Sequence, residues 1–207
     1  MNSIKLNNQN IKSSKIVCIG RNYIEHIKEL DNDTPDEMVF FIKPNSSISQ
    51  EIVFPKGHKS CHYEAEISFL IEEEKISAVG FGLDLTLREV QSKLKAKGLP
   101  WERAKSFDNS AVFSDFVPFN DTVDSLEVEL YINDELKQKG GVELMIHKPD
   151  AIIQEFQSFA SFEDGDILMT GTPKGVGEFQ IGDKFLGKIL YKNEVLVQKE
   201  FIVKSSH

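Results

Sequence analysis

Hydrophobic residues along this chain fall mostly into short runs of strand type, separated by polar turns. Lys15 to Ile19 reads as a strand that Gly20 ends, ahead of a helical turn from Ile24 to Leu30. Val39 to Ile42 reads as a buried strand, His62 to Ile71 as a longer one, and Val79 to Leu83 as the next. Thr86 and Glu89 have the spacing of a capping box, which predicts a helix through about Ala96. Leu126 to Ile132 alternates in the strand manner, and Asn133-Asp134 supplies a two-residue turn into Glu135 to Gln138, so a hairpin is predicted. Pro149 suits the first turn of a helix whose Ile152, Ile153, Phe156 and Phe159 lie at helical spacing and are expected in the core. A strand from Asp166 to Thr170, a glycine-rich loop from Gly171 to Gly177, and two late strands around Lys184 to Leu190 and Val195 to Val203 follow, the last two joined by a turn at Asn193-Glu194. Strands dominate without regular strand-helix alternation. The pattern predicts an α+β fold with a large mixed sheet rather than a doubly wound parallel one.

Length and charge narrow the classes. At 207 residues the chain is long enough for one domain with a substantial core. Its net charge of −9 argues against nucleic acid as a partner. No run approaches 18 apolar residues and the polar start has no leader pattern, so no membrane association and a cytoplasmic location are expected. Cys18 and Cys61 are too few for a disulfide framework and lack metal-type spacing, so both are expected as small buried or strand-edge residues.

The candidate chemistry begins in His62-Tyr63-Glu64-Ala65-Glu66. Strand geometry puts His62, Glu64 and Glu66 on one face, and Asp84 arrives on the next strand. Three such carboxylates make sense around a hard cation, Mg²⁺ or Mn²⁺, with open positions for water or a chelating substrate. The alternative is a strand with a solvated acidic face. His26 and Glu29, three apart on a helical turn, form a pair able to activate water, or else an ordinary surface pair. Arg88, Gln91 and Lys105 could hold a substrate carboxylate or an oxyanion, or else line a solvated face. The Gly171 to Gly177 loop, with Thr170 and Thr172 beside it, lacks the Lys-Ser/Thr ending of a nucleotide-binding loop and reads as a carboxylate cradle or a plain tight turn.

Taken in order, GRNYIEHIKEL, FFIKPNSS, HYEAEISFLI, GLDLTLREVQ, KGLPWERAKSFD, LMIHKPDAII and GDILMTGTPKGVG resemble the fumarylacetoacetate hydrolase family, most closely its acylpyruvate hydrolase and oxaloacetate decarboxylase branch. The resemblance implies a rolled mixed β-sheet with a few short helices, a single catalytic domain over residues 15–207 after an N-terminal extension of residues 1–14, and a homodimer. It implies Glu64, Glu66 and Asp84 as ligands of Mg²⁺ or Mn²⁺, and His26 with Glu29 as a water-activating dyad on a mobile lid. It further implies Lys105 as a catalytic lysine beside the metal, and Arg21, Arg88, Gln91 and Thr172 as substrate-binding residues. The implied activity is cleavage of the C–C bond of acylpyruvates through a metal-bound pyruvate enolate, with decarboxylation of oxaloacetate at the same site. A 2-oxo-dienoate isomerase or hydratase is the alternative within the family, and a metal-binding protein without turnover the alternative outside enzymes.

Overall fold

The computed structural model describes residues 1–31 and 35–206. The segment before Lys15, expected as an extension, is a hairpin of β1 (Ile4–Leu6) and β2 (Gln9–Ile11). Ile4 is fully buried and the Lys5 carbonyl accepts the Phe116 N–H, so the hairpin is fastened to the domain. β3 (Lys15–Gly20), α1 (Ile24–Glu29), β4 (Val39–Pro44), β5 (Ile48–Ser49), β6 (His62–Tyr63), β7 (Ala65–Glu72) and β8 (Lys75–Asp84) follow. Next come α2 (Arg88–Lys95), α3 (Glu102–Lys105), β9 (Ala111–Phe113) and β10 (Val117–Pro118). The chain continues through β11 (Leu126–Ile132), β12 (Glu135–Gly141), α4 (Pro149–Gln157), β13 (Ile167–Met169), β14 (Gly177–Glu178), β15 (Lys184–Tyr191) and β16 (Glu194–Ile202).

The large sheet has the order β4-β3-β13-β7-β8-β9-β5, with β10 beside β8. β13 runs parallel to β3 and β5 parallel to β9, while the remaining pairs are antiparallel. This is the mixed sheet that the strand-dominated pattern predicts. A second sheet, β12-β11-β15-β16, packs across β7 and β8. Period-two alternation decides what lies between the sheets. Val17, Ile19, Ala65, Ile67, Phe69, Val79, Phe81 and Leu83 share one core with Val128, Leu130, Phe185 and Ile189 of the second sheet. The opposite face carries Ile16, Cys18, Leu70, Ala78 and Phe113 and is closed by Ile4, Ile48 and Phe116. Each fully buried phenylalanine here stabilises the fold by roughly 1.5–3 kcal/mol. Glu66 and Asp84 have the parity of this second face, so the strands deliver them to its end.

Several local expectations change. β4 is an edge strand, mostly half buried rather than buried, because it pairs only with β3. Thr86 forms no capping box: its hydroxyl donates to the Asp84 carbonyl and accepts from Lys105, and α2 starts at Arg88 without a side-chain cap. Phe159 lies beyond the end of α4 and is 62% exposed, resting on Phe40 and Phe156 rather than entering the core. The last turn falls at Lys192-Asn193, both in left-handed backbone, one residue earlier than read. The Asn133-Asp134 turn forms as expected, with φ of 51° and 67°. Both cysteines are buried. Among the described residues no helix is long and apolar enough to cross a membrane.

Candidate active site

Glu64 directly precedes β7, Glu66 lies within it, and Asp84 ends β8. The Asp84 N–H donates to the Glu64 carbonyl at 2.8 Å and Glu66 stands in register with Gly82, so the strand pairing converges the carboxylates. One oxygen from each lies within 4.8 Å of the others. At 5, 2 and 1% exposure, Glu64, Glu66 and Asp84 are not a solvated acidic face. His62 does not join them: it is half buried and turns to Glu178, with Nε2 3.7 Å from Oε1.

Two of the carboxylates are met by cations of the chain. Lys105 Nζ donates to Glu64 Oε2 (2.8 Å), Asp84 Oδ2 (2.5 Å) and Thr86 Oγ1 (2.7 Å). Arg88 bonds Glu64 Oε1 and also donates to Gln91 Oε1 at 2.8 Å. Burial alone would raise the Glu64 carboxyl, but Lys105, Arg88 and His26 outweigh it and hold that group far below the usual carboxylate range. For Lys105 burial pulls the ammonium down, while Asp84 and Glu64 push it above its ordinary value. Glu66 behaves oppositely. Burial first, then the Asp84 and Glu64 charges, drive its carboxyl well up, against the opposing Lys105 charge and the Gly171 N–H it accepts at 2.8 Å. Asp84 Oδ1 is buried without a hydrogen-bond donor, for Lys43 Nζ lies at an ion-pair distance of 2.8 Å but off the hydrogen-bonding direction. A divalent cation held by these hard oxygens would satisfy Asp84 Oδ1 and remove the repulsion on Glu66. The donor set therefore fits Mg²⁺ or Mn²⁺.

The dyad stands on α1. His26 Nδ1 is 3.3 Å from Glu29 Oε2, and Glu29 Oε1 accepts the Gly175 N–H at 2.9 Å, tying the helix to the glycine-rich loop. Burial lowers the imidazole below its ordinary 6.5, against the opposing pull of Glu64 and Glu29. Gly175 has φ of +98° and a Cβ there would collide with the Lys137 carbonyl, so this approach of the loop to β12 needs glycine. Asn22 anchors the chain ahead of α1, donating to the Thr170 and His147 carbonyls at 2.9 and 3.0 Å.

Arg21, His26, Glu64, Glu66, Asp84, Arg88, Gln91, Lys105 and Thr172 all line one pocket. Glu29 stands behind His26, its side chain 32% exposed. The Thr172 hydroxyl donates to the Ala65 carbonyl (2.9 Å) and accepts from Gln138 (2.8 Å), so in this arrangement its proton is spent inside the protein. Sequence reasoning missed Gln138, which fixes that loop, and Lys43, fully buried between Asp84, Ser110 and the Lys105 carbonyl. Lys43 did leave a signal, a charged residue closing the apolar run Phe40-Phe41-Ile42. Phe41, Lys95 and Trp101, also in the pocket wall, were missed as well.

The family described as fumarylacetoacetate hydrolase C-terminal matches residues 15–199. The oxaloacetate tautomerase YcgM of Escherichia coli (strain K12) is 41% identical, over 83% of this chain and 86% of the relative. The mitochondrial oxaloacetate tautomerase FMP41 of Saccharomyces cerevisiae is 36% identical, over 90% of this chain and 91% of the relative. Among solved structures, the fumarylpyruvate hydrolase of Pseudomonas aeruginosa in complex with Mn²⁺ and pyruvate has a TM-score of 0.88 at 26% identity, covering 100% of this chain and 97% of that one. The family match and these likenesses agree, and the chain belongs to the fumarylacetoacetate hydrolase family, a family of enzymes.

Proposed function

We propose that this chain is a Mg²⁺- or Mn²⁺-dependent enzyme that interconverts the keto and enol forms of oxaloacetate, a small 2-oxo acid. The observation that carries this reading is the meeting, in one buried pocket, of three carboxylates with a neutral imidazole backed by Glu29. Relatives named oxaloacetate tautomerase, 41 and 36% identical, support the choice of substrate. Glu64, Glu66 and Asp84 would hold the ion, whose chemistry when bound is that of a Lewis acid toward a 2-oxo acid head. Lys105, anchored to Glu64, Asp84 and Thr86, adds an ammonium that favours negative charge on the C2 oxygen as a C3 proton leaves. His26 takes that proton at Nε2. Glu29, accepting from Nδ1, fixes this tautomer and favours the imidazolium that forms. Delivery of the proton to the C2 oxygen completes the enol. Arg88 occupies the Gln91 oxygen, which leaves the NH₂ end as a donor toward the substrate.

The dyad also supports a second reading, the acylpyruvate hydrolysis implied by the resemblance. There His26 would deprotonate water for attack on the C4 ketone, with Lys105 and Gln91 meeting the oxyanion. The likeness to a fumarylpyruvate hydrolase favours it. Decarboxylation of oxaloacetate would use the same charge sink without water, CO₂ leaving C3 as the electron pair passes to the C2 oxygen. The proposal includes a homodimer. Exposed Ile42, Leu99 and Phe159 beside the edge strand β4 offer apolar surface for it, and sedimentation of the native protein tests it.

The deciding experiment follows the enol absorbance of oxaloacetate and the release of pyruvate from oxaloacetate and acetylpyruvate, with Mg²⁺, with Mn²⁺ and with chelator. Faster equilibration of the enol without matching pyruvate release is expected, and it should vanish in chelator. Faster pyruvate release from acetylpyruvate would move the assignment to the hydrolase. No effect on either compound would leave a metal-holding protein without turnover.

A further inference from the structure

A buried side chain of the second sheet reaches the site. Gln138 lies on β12, the edge strand of that sheet, at 1% exposure. Its Oε1 accepts the Ala65 N–H at 2.9 Å, and its Nε2 donates to Thr172 Oγ1 and to the Pro173 carbonyl, both at 2.8 Å. Thr172 closes the ring by donating to the Ala65 carbonyl at 2.9 Å. Ala65 stands between Glu64 and Glu66, and Thr172 lines the same pocket as those carboxylates. The strand comes this close to the loop because Gly140 has no side chain: a Cβ there would lie 2.6 Å from Pro173 Cβ.

These partners leave the Gln138 amide one orientation. The Ala65 N–H needs an acceptor and the Pro173 carbonyl needs a donor, so Oε1 faces β7 and the NH₂ group faces the loop. The consequence falls on Thr172. Because Gln138 donates to its oxygen, the hydroxyl cannot aim its proton back at that amide and must donate elsewhere. The Pro173 carbonyl is a poor alternative at 3.5 Å, which leaves the Ala65 carbonyl or an anion in the pocket. A hydrogen bond to a carboxylate is about twice as strong as one between neutral groups. A ligand carboxylate within reach of Thr172 therefore draws the proton from Ala65. Rotation of one O–H bond suffices, and the oxygen stays where Gln138 holds it.

We propose that Gln138 is a positioning residue for substrate binding: it keeps the Thr172 hydroxyl a donor, ready to turn from the Ala65 carbonyl to the carboxylate of a 2-oxo acid. The inference rests on the reading of the pocket as a 2-oxo acid site and adds the residue that sets the direction of one of its donors. Gln138 acts through Thr172 and touches no substrate atom, so its effect belongs in ligand affinity and KM.

Calorimetric titration of the Mg²⁺-loaded protein with pyruvate tests this without turnover. Thr172→Val should raise Kd by about 10- to 100-fold, the loss of one hydrogen bond to a charged group, and Thr172→Ser should stay within about threefold of wild type. Gln138→Met should reproduce most of the Thr172→Val loss. The double variant should bind no worse than Thr172→Val alone, since the two residues act through one proton. Gln138→Asn, whose amide is one methylene too short to hold Ala65 and Thr172 together, takes the place of Gln138→Met if that variant does not fold. A lower Tm with an unchanged Kd makes Gln138 a structural tie and overturns the proposal. Losses that add in the double variant, or a Thr172→Val that binds like wild type, overturn it as well. No binding of pyruvate by the wild type overturns the 2-oxo acid reading together with the proposal, whereas wild-type binding that the Gln138 variant leaves intact overturns the proposal alone.

Discussion

A lysine with no solvent exposure is tolerable only where its charge is met, and Lys43 meets it with Asp84, Ser110 and the Lys105 carbonyl. It thereby fixes both the carboxylate and the chain segment that carries the catalytic lysine candidate. Lys43→Met should leave Asp84 less compensated and cost about 3–5 kcal/mol in chelator, read by urea denaturation. A loss below about 1 kcal/mol would mean that Lys105 alone suffices for Asp84. Lys43 was hard to read in the sequence because Ser110 and the Lys105 carbonyl lie 67 and 62 residues away, and only the fold brings them together. His26 gives the residue-scale pH prediction. Burial lowers its pKa below 6.5, so the neutral base predominates above a midpoint lower than that of a free imidazole. The acid limb of kcat for enolisation should therefore lie below pH 6.5 and disappear with the residual activity of His26→Gln. A limb at or above 6.5 would point to another base.

At the scale of elements, Asp166 is the joint between β3, β13 and the turn before β13. Its buried carboxylate accepts the Ser14 and Lys15 N–H groups (both 3.1 Å), the Ser14 hydroxyl (2.7 Å) and the Glu163 N–H (2.9 Å), and it pairs with Lys15 Nζ. Burial would raise this carboxyl, yet Lys15 and the N–H and hydroxyl donors hold it below 3.8. A folded-state pKa lower than the unfolded one contributes stability that is present above the unfolded value and lost as pH falls through the folded one. Asp166→Asn should cost about 1–3 kcal/mol at neutral pH and flatten the fall in stability below pH 4, measured by urea denaturation in chelator. An unchanged acid limb would count against Asp166 as its source. Elements were legible where periodicity answers to local geometry. β7 and β8 read as long apolar strands because both faces of the sheet are covered, and the Asn133-Asp134 hairpin follows from its turn residues. Elements were misread where tertiary partners compete with a local rule. Thr86 has the capping-box spacing, but Lys105 and the Asp84 carbonyl take its hydroxyl, and Phe159 continues a helical stripe after the helix has ended.

At the scale of the whole molecule, the triad was legible because Glu64 and Glu66 follow the strand period and Asp84 closes the neighbouring strand. Of the compensating cations Lys105 was among the sequence candidates and Lys43 was not, and the two meet different oxygens of Asp84. That arrangement couples folding to cation binding. The fold buries three carboxylates together, and the repulsion on Glu66 is destabilising until a divalent ion enters. An ion present at a hundred times its dissociation constant should add about 2.7 kcal/mol of stability. For a chain of this size that is a rise of roughly 5–10 °C in Tm, measured with Mg²⁺, with Mn²⁺ and with chelator. Glu66→Gln makes the argument sharper, because it removes one ligand and one repelling charge together. Without metal the variant should melt no lower than wild type, and with metal most of the rise should be gone. The same metal-induced rise in Glu66→Gln as in wild type would place the ion elsewhere, and a fall in the metal-free Tm of several degrees would mean that the three carboxylates are not in conflict.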